Sequence, residues 1–152
     1  MRPNPSLLMT ASLAMVLVPH LARAECHPVA GTIDAAIIGG EPTNVLGTVT
    51  GTLAGATRAV VNGQSQEDDG TIGLDLAHDF VTLAGGSLRT VDSAVWTPIP
   101  GHDGLFHMAT DYSIEGGTGT WAGATGSLRN AGMADTATGL LTLRYEGEIC
   151  RN

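Results

Sequence analysis

Residues 71–83 read TIGLDLAHDFVTL, and their character alternates. Ile72, Leu74, Leu76, His78 and Phe80 share one face, with Asp75 and Asp79 on the other. A period of two is the spacing of a strand with one buried and one wet face. The stretch 104–117, GLFHMATDYSIEGG, behaves likewise: Phe106, Met108, Thr110, Tyr112 and Ile114 alternate with His107, Asp111 and Glu115. In LLTLRYEGEIC, residues 140–150, Leu141, Leu143, Tyr145 and Ile149 oppose Arg144, Glu146 and Glu148. Three such strands predict an antiparallel sheet wetted on one side.

Shorter runs, PVAGTID, VLGTVTGT, TRAVV and SLRTVDSAVW, add further strands. No window after Ala24 carries apolar residues at the spacing of an amphipathic helix. Asn62-Gly63 predicts a tight hairpin turn, and DTATG at residues 135–139 predicts another link. WTPIPGHDG predicts a long connection after the strand ending near Trp96. The acids of QSQEDDG (Glu67, Asp68 and Asp69) lack the wider ligand spacing of a calcium loop and predict a solvated turn. The whole pattern predicts an all-β, single-domain protein of about eight strands, a pattern that a closed antiparallel β-barrel and a sandwich both satisfy.

The ends change the picture. Arg2, the uncharged run Leu7 to Val18 and the triplet Ala22-Arg23-Ala24 have the layout of a secretory signal peptide cut after Ala24. A spanning anchor would need about 20 apolar residues. Lipidation at Cys26 is disfavoured by Glu25, where a small residue is expected. Residues 1–24 are therefore assigned to the signal peptide and 25–152 to one domain. Of the chain's 152 residues, 128 remain after cleavage, with five arginines, fifteen acids, no lysine and a formal charge of −10. Such a field disfavours nucleic acid and anionic membrane surfaces as partners. The expected location is secreted or periplasmic. The oligomeric state is left open, a homo-oligomer included.

Cys26 and Cys150 are the two cysteines, one near each end of the mature chain. In an oxidising compartment they read as one terminal disulfide; the alternative is two free thiols. Closing so long a loop stabilises a fold by about 4–5 kcal/mol on the chain-entropy model. It also favours closure mildly, by holding the first and last strands together.

One phrase occurs twice. TGTLAGAT at 50–57 and TGTWAGAT at 118–125 differ only at Leu53 and Trp121. A phosphate loop would lead into a helix, and no helical pattern follows either copy. Glycines at short spacing within a β-run predict bulges and bends where a barrel strand curls, with Trp121 lying over bare glycine. The longer stretch GGTGTWAGATGSLRNAGMADTATGLLTLRYEGEIC resembles the C-terminal signature of the allene oxide cyclase barrel-like superfamily, which includes the dirigent proteins and bacterial secreted relatives. The resemblance is carried by Gly116, Gly117, Thr118, Gly119, Trp121, Ala122, Gly123, Ala124, Thr125 and Gly126, then Gly132, Tyr145, Gly147 and Ile149. Upstream, GTVTGTLAGATRAVV and HDFVTLAGGSLRTVDSAVW resemble the bacterial branch. The resemblance implies an eight-stranded antiparallel β-barrel of lipocalin-like shape with an apolar cavity. Its motif is structural and brings no site residues with it.

Candidate chemistry therefore comes from the alternation. With the even face of 72–80 inward, His78 points into the barrel. If Leu88 also points inward, Asp92 and Trp96 share its face, and Tyr112 faces the same interior. His78, Asp92 and Tyr112 are the catalytic candidates: a base, the group that orients it and a proton donor. A lone inward histidine or tyrosine is more often a hydrogen-bonded core residue, and these three would suit that role. Phe80, Trp96, Phe106 and Met108 are candidate apolar walls for a ligand. Arg89 and Arg129 are expected to pair with surface acids. His102 and His107 have the spacing of metal ligands only on a helix, so neither a metal nor a cofactor is expected. Two functions remain: a barrel that binds a small apolar molecule and guides cofactor-free cyclisation or isomerisation, and a non-catalytic carrier or interaction module.

Overall fold

A computed structural model describes residues 24–151. The signal peptide assigned to residues 1–24 lies outside the described residues except for Ala24. Eight strands follow in chain order: β1 Glu25–Gly39, β2 Asn44–Val49, β3 Gly55–Gln66, β4 Ile72–Thr82, β5 Ser87–Pro98, β6 Leu105–Gly117, β7 Thr125–Asp135 and β8 Leu140–Arg151. Each pairs antiparallel with its neighbour, and β1 pairs with β8, so the sheet closes into a barrel. Closure removes every free edge.

The alternation decides which side chains fill the barrel. Along β5, Leu88, Thr90, Asp92, Ala94 and Trp96 are all buried, whereas Arg89, Val91, Ser93, Val95 and Thr97 are exposed. Outside, Arg89 pairs with Asp79 at 3.2 Å and Arg129 with Glu146 at 3.0 Å. Cys26 and Cys150 face each other across β1 and β8 and form a disulfide.

The up-and-down order sorts the connections into two ends. The β2–β3, β4–β5 and β6–β7 links lie at the end that also holds the disulfide; the other four links lie at the opposite end. Val29, Val49, Leu53, Phe80, Leu88, Trp121 and Ile149 pack the first end solid.

The repeated phrase does not bend a strand. Each copy links two strands through a single 3-10 turn, Gly51–Leu53 and Gly119–Trp121. Ala54 N–H closes the first turn on Gly51 O at 3.2 Å, and Ala122 N–H the second on Gly119 O at 3.1 Å. The first glycine of each phrase needs left-handed backbone, with φ of 77° at Gly51 and 56° at Gly119. A Cβ on Gly51 would also strike the Ala30 carbonyl. Each turn drives one large side chain inward: Leu53 is 0% and Trp121 5% exposed, so the pair plugs that end. Beyond the turns the copies diverge. Thr57 is buried but its counterpart Thr125 is exposed, and Ala56 is exposed but Ala124 is buried. The phrase therefore encodes the turn, and the next strand takes its own register.

Two smaller expectations also change. Asn62-Gly63 is not a hairpin turn but lies within β3, where the register with β4 shifts between Val61 and Gly63. That shift is a bulge, which tolerates the same residues as a turn. The chain turns instead at Glu67–Gly70, where Glu67 N–H bonds to Thr71 O at 2.8 Å. There Asp69 accepts the Thr71 N–H at 2.9 Å, as expected of a solvated turn.

Candidate functional site

The half of the barrel away from the plug is open. A cavity of about 240 Å3 lies there, walled by Ile33, Ile37, Val45, Leu74, Leu141 and Leu143 among others. Thr43, Gln64 and Thr136 line it from the rim. His78 and Tyr112 also line it, from the boundary between the open and the packed halves.

Four inward polar side chains step across four adjacent strands there. His78 on β4 sits opposite Thr90, while Asp92 on β5 sits opposite Leu76, so the two are diagonal neighbours. Tyr112 on β6 is directly opposite Asp92. Asn130 on β7 lies opposite Thr110 and diagonal to Tyr112. The local cause is unbroken alternation: each residue falls on the inward parity of its strand.

His78 Nδ1 lies 2.6 Å from Asp92 Oδ2. A carboxylate can only accept, so Nδ1 carries the proton and donates it to Asp92. Nε2 is then the nitrogen left for a molecule in the cavity. The ring is clamped between Phe80, stacked at 5.7 Å, and Tyr112, edge-on at 5.1 Å between centroids. Asp92 lies behind His78 and does not itself line the cavity; its side chain is 0% exposed. Its second oxygen, Oδ1, is buried with no hydrogen-bond partner among the described residues.

Tyr112 is held from the other side, where the Asn130 amide nitrogen donates to the phenol oxygen. Burial pushes the Tyr112 phenol well above its ordinary value, and the nearby Asp92 carboxylate adds to the rise. The phenol is therefore neutral and keeps its proton across the physiological range. Thr110 also stands within hydrogen-bonding reach of the phenol.

The structure brings His78, Asp92 and Tyr112 together at one point, with His78 and Tyr112 facing the cavity. Of the candidate apolar walls, Trp96 and Met108 line it. Phe80 and Phe106 do not. Phe80 is 1% exposed, one inward position beyond His78 toward the plug, and packs the solid half. Phe106 leans on Trp96 at 5.8 Å between centroids and braces it from outside the lining. His27, His102 and His107 are exposed and take no part. Cys26, Glu148 and Cys150 bring ligand atoms within 4.8 Å of one another, but both sulfurs are joined in the disulfide.

Asn130 is the one member of the polar set that the alternation did not reveal. On β7 the inward positions read Leu128, Asn130, Gly132 and Ala134, and the outward ones include Ala131 and Met133. Neither face looks apolar, so the side facing the core is legible only once the register with β6 is known.

No family model and no curated protein matches the chain. Among solved structures, it is similar to the pterocarpan synthase dirigent protein GePTS1, with 14% sequence identity and a TM-score of 0.37. That match spans 93% of this chain and 99% of the other. The closed eight-stranded barrel itself follows from the strand pairing described above.

Proposed function

We propose that this barrel is an exported protein that binds a small, largely apolar molecule and acts on it by proton transfer without a cofactor. One observation carries the reading: a buried histidine, held by Asp92 behind it, lines a mostly apolar cavity. A dry wall strengthens any hydrogen bond made inside it, and a histidine fixed by a carboxylate is a ready acceptor. Typical ligand pockets measure about 300–1,000 Å3; at about 240 Å3 this cavity suits a molecule smaller than most drugs. Cyclisation or isomerisation fits best, because both need shape, water exclusion and a moving proton. Export rests on the signal-like first 24 residues and agrees with the disulfide.

The test is native mass spectrometry of protein purified from its own producer. A co-purifying neutral molecule is expected. His78→Gln should retain that molecule but lose its turnover. Binding and loss of binding with no detectable chemistry in either protein would make the barrel a carrier. An empty barrel that takes up no small apolar molecule would overturn the reading.

A further inference from the structure

Resting on that reading, we infer that the substrate class is a small, neutral, enolisable ketone with a β,γ double bond, and that the barrel moves its double bond into conjugation by a 1,3-proton shift.

The lining favours proton transfer beside a carbonyl by what it offers. Among the cavity-lining residues, His78 and Tyr112 are the titratable ones; no arginine, carboxylate, cysteine or serine joins them. A phosphate or carboxylate on the substrate would find no cation. A covalent intermediate would find no activated nucleophile. What the floor does offer is one base and one neutral acid, with ring centroids 5.1 Å apart. Taking a proton from carbon beside a carbonyl needs that combination, because charge develops on the oxygen as the C–H bond breaks.

Each residue then has a stated part. His78 Nε2 takes the α proton, and the C–H electron pair becomes the new carbon–carbon π bond. The carbonyl π pair moves onto oxygen, which receives the proton of Tyr112. The imidazolium then returns its proton to the γ carbon, and the phenolate recovers its own from the enol. Substrate and product are isomers, so no oxidant, reductant or co-reactant enters. Asp92 fixes the tautomer that leaves Nε2 free. Asn130, through its contact with the phenol oxygen, fixes where the Tyr112 hydroxyl sits. These two are positioning residues.

The probe is cyclohex-3-en-1-one, whose conversion to cyclohex-2-en-1-one is followed by the ultraviolet absorbance gained on conjugation. Exchange of its α protons in D2O is followed by NMR. Binding is read separately from the methyl signal of Met108, which lines the cavity, with the exposed Met133 as internal control. Conversion by the wild type is expected. His78→Gln and Tyr112→Phe should each lower kcat/KM by about 100-fold or more, with the Met108 shift retained. Asn130→Leu should lower kcat and leave KM unchanged. A Met108 shift with neither conversion nor exchange overturns the inference and leaves the binding barrel standing. Conversion that survives in both folded variants also overturns it. If neither ketone moves the Met108 signal, the inference falls, while the reading beneath it is decided separately by whether any small apolar molecule co-purifies.

Discussion

The hydroxyl of Tyr145, on the last strand, accepts the backbone N–H of Leu53 at 2.9 Å and donates to the carbonyl of Thr50 at 2.8 Å. One side chain thus closes a turn 92 residues earlier in the chain. Both backbone groups belong to the repeated phrase, and Leu53 is fully buried. Tyr145→Phe keeps the ring but strands a buried N–H, which costs about 1–3 kcal/mol. The expected readout is a lower urea midpoint with an unchanged slope, and faster amide exchange at Leu53. Exchange at Leu53 no faster than in the wild type would mean that the turn does not depend on the hydroxyl.

The His78–Asp92 pair makes a prediction about stability that is separate from catalysis. His78→Leu leaves a buried carboxylate alone and is expected to cost about 3–5 kcal/mol. Asp92→Leu strands only an imidazole N–H and should cost about 1–3 kcal/mol. The double substitution removes both polar groups, so it should be more stable than His78→Leu alone. Urea denaturation of the four proteins completes the cycle. Additive costs would show that the two side chains are not an energetic unit.

Where alternation is clean, the residues announce their own placement. Along β4 and β6 the charged residues fall outside, so His78 and Tyr112 could be placed inside before any pairing was known; on β5, Asp92 and Trp96 followed only from placing Leu88 inward. The repeated phrase was legible as unusual but not as a turn, because glycine suits a bulge, a bend and a 3-10 turn equally. Which one forms depends on partners far along the chain: Tyr145 for the first copy, and Thr82, which accepts the Trp121 indole N–H at 2.7 Å, for the second. The same holds for Asn130, whose facing is set by its neighbours on β6. Nor could alternation tell lining from core. Phe80 and His78 share a parity, and only the position of the plug puts one in the solid half and the other at the cavity.

The disulfide adds stability without dictating topology. Cys26 and Cys150 are 124 residues apart, and the β1–β8 seam they staple runs from Glu25–Arg151 to Ala36–Leu140. That ladder closes the barrel by itself. Cys26→Ala with Cys150→Ala should therefore fold to the same barrel, with an unchanged circular dichroism spectrum. It should lose about 4–5 kcal/mol on the chain-entropy model, read from the urea midpoint. Loss of the native spectrum in buffer alone would show that the seam needs the bond to form.

Alkaline pH isolates the tyrosines, because the chain has two of them and no lysine. Both phenols are raised by burial, Tyr112 with help from Asp92 and Tyr145 against the backbone bonds that oppose the rise. A raised phenol stays protonated in the fold while its unfolded counterpart ionises near its ordinary value of 10.0. The unfolded state then binds fewer protons, so stability is full below that value and falls as pH climbs above it. One such group gives a slope of about 1.4 kcal/mol per pH unit, and two give about 2.7. Urea midpoints between about pH 9 and 11.5 should stay level at first and then fall with a slope in that range. Tyr112→Phe should remove at least half of the slope, and the Tyr112 tyrosinate absorbance should appear only with unfolding. A phenolate signal that titrates near pH 10 in the folded protein would place at least one hydroxyl in water, and the contact drawn for that hydroxyl, Asn130–Tyr112 or the Tyr145 closure, could not then stand.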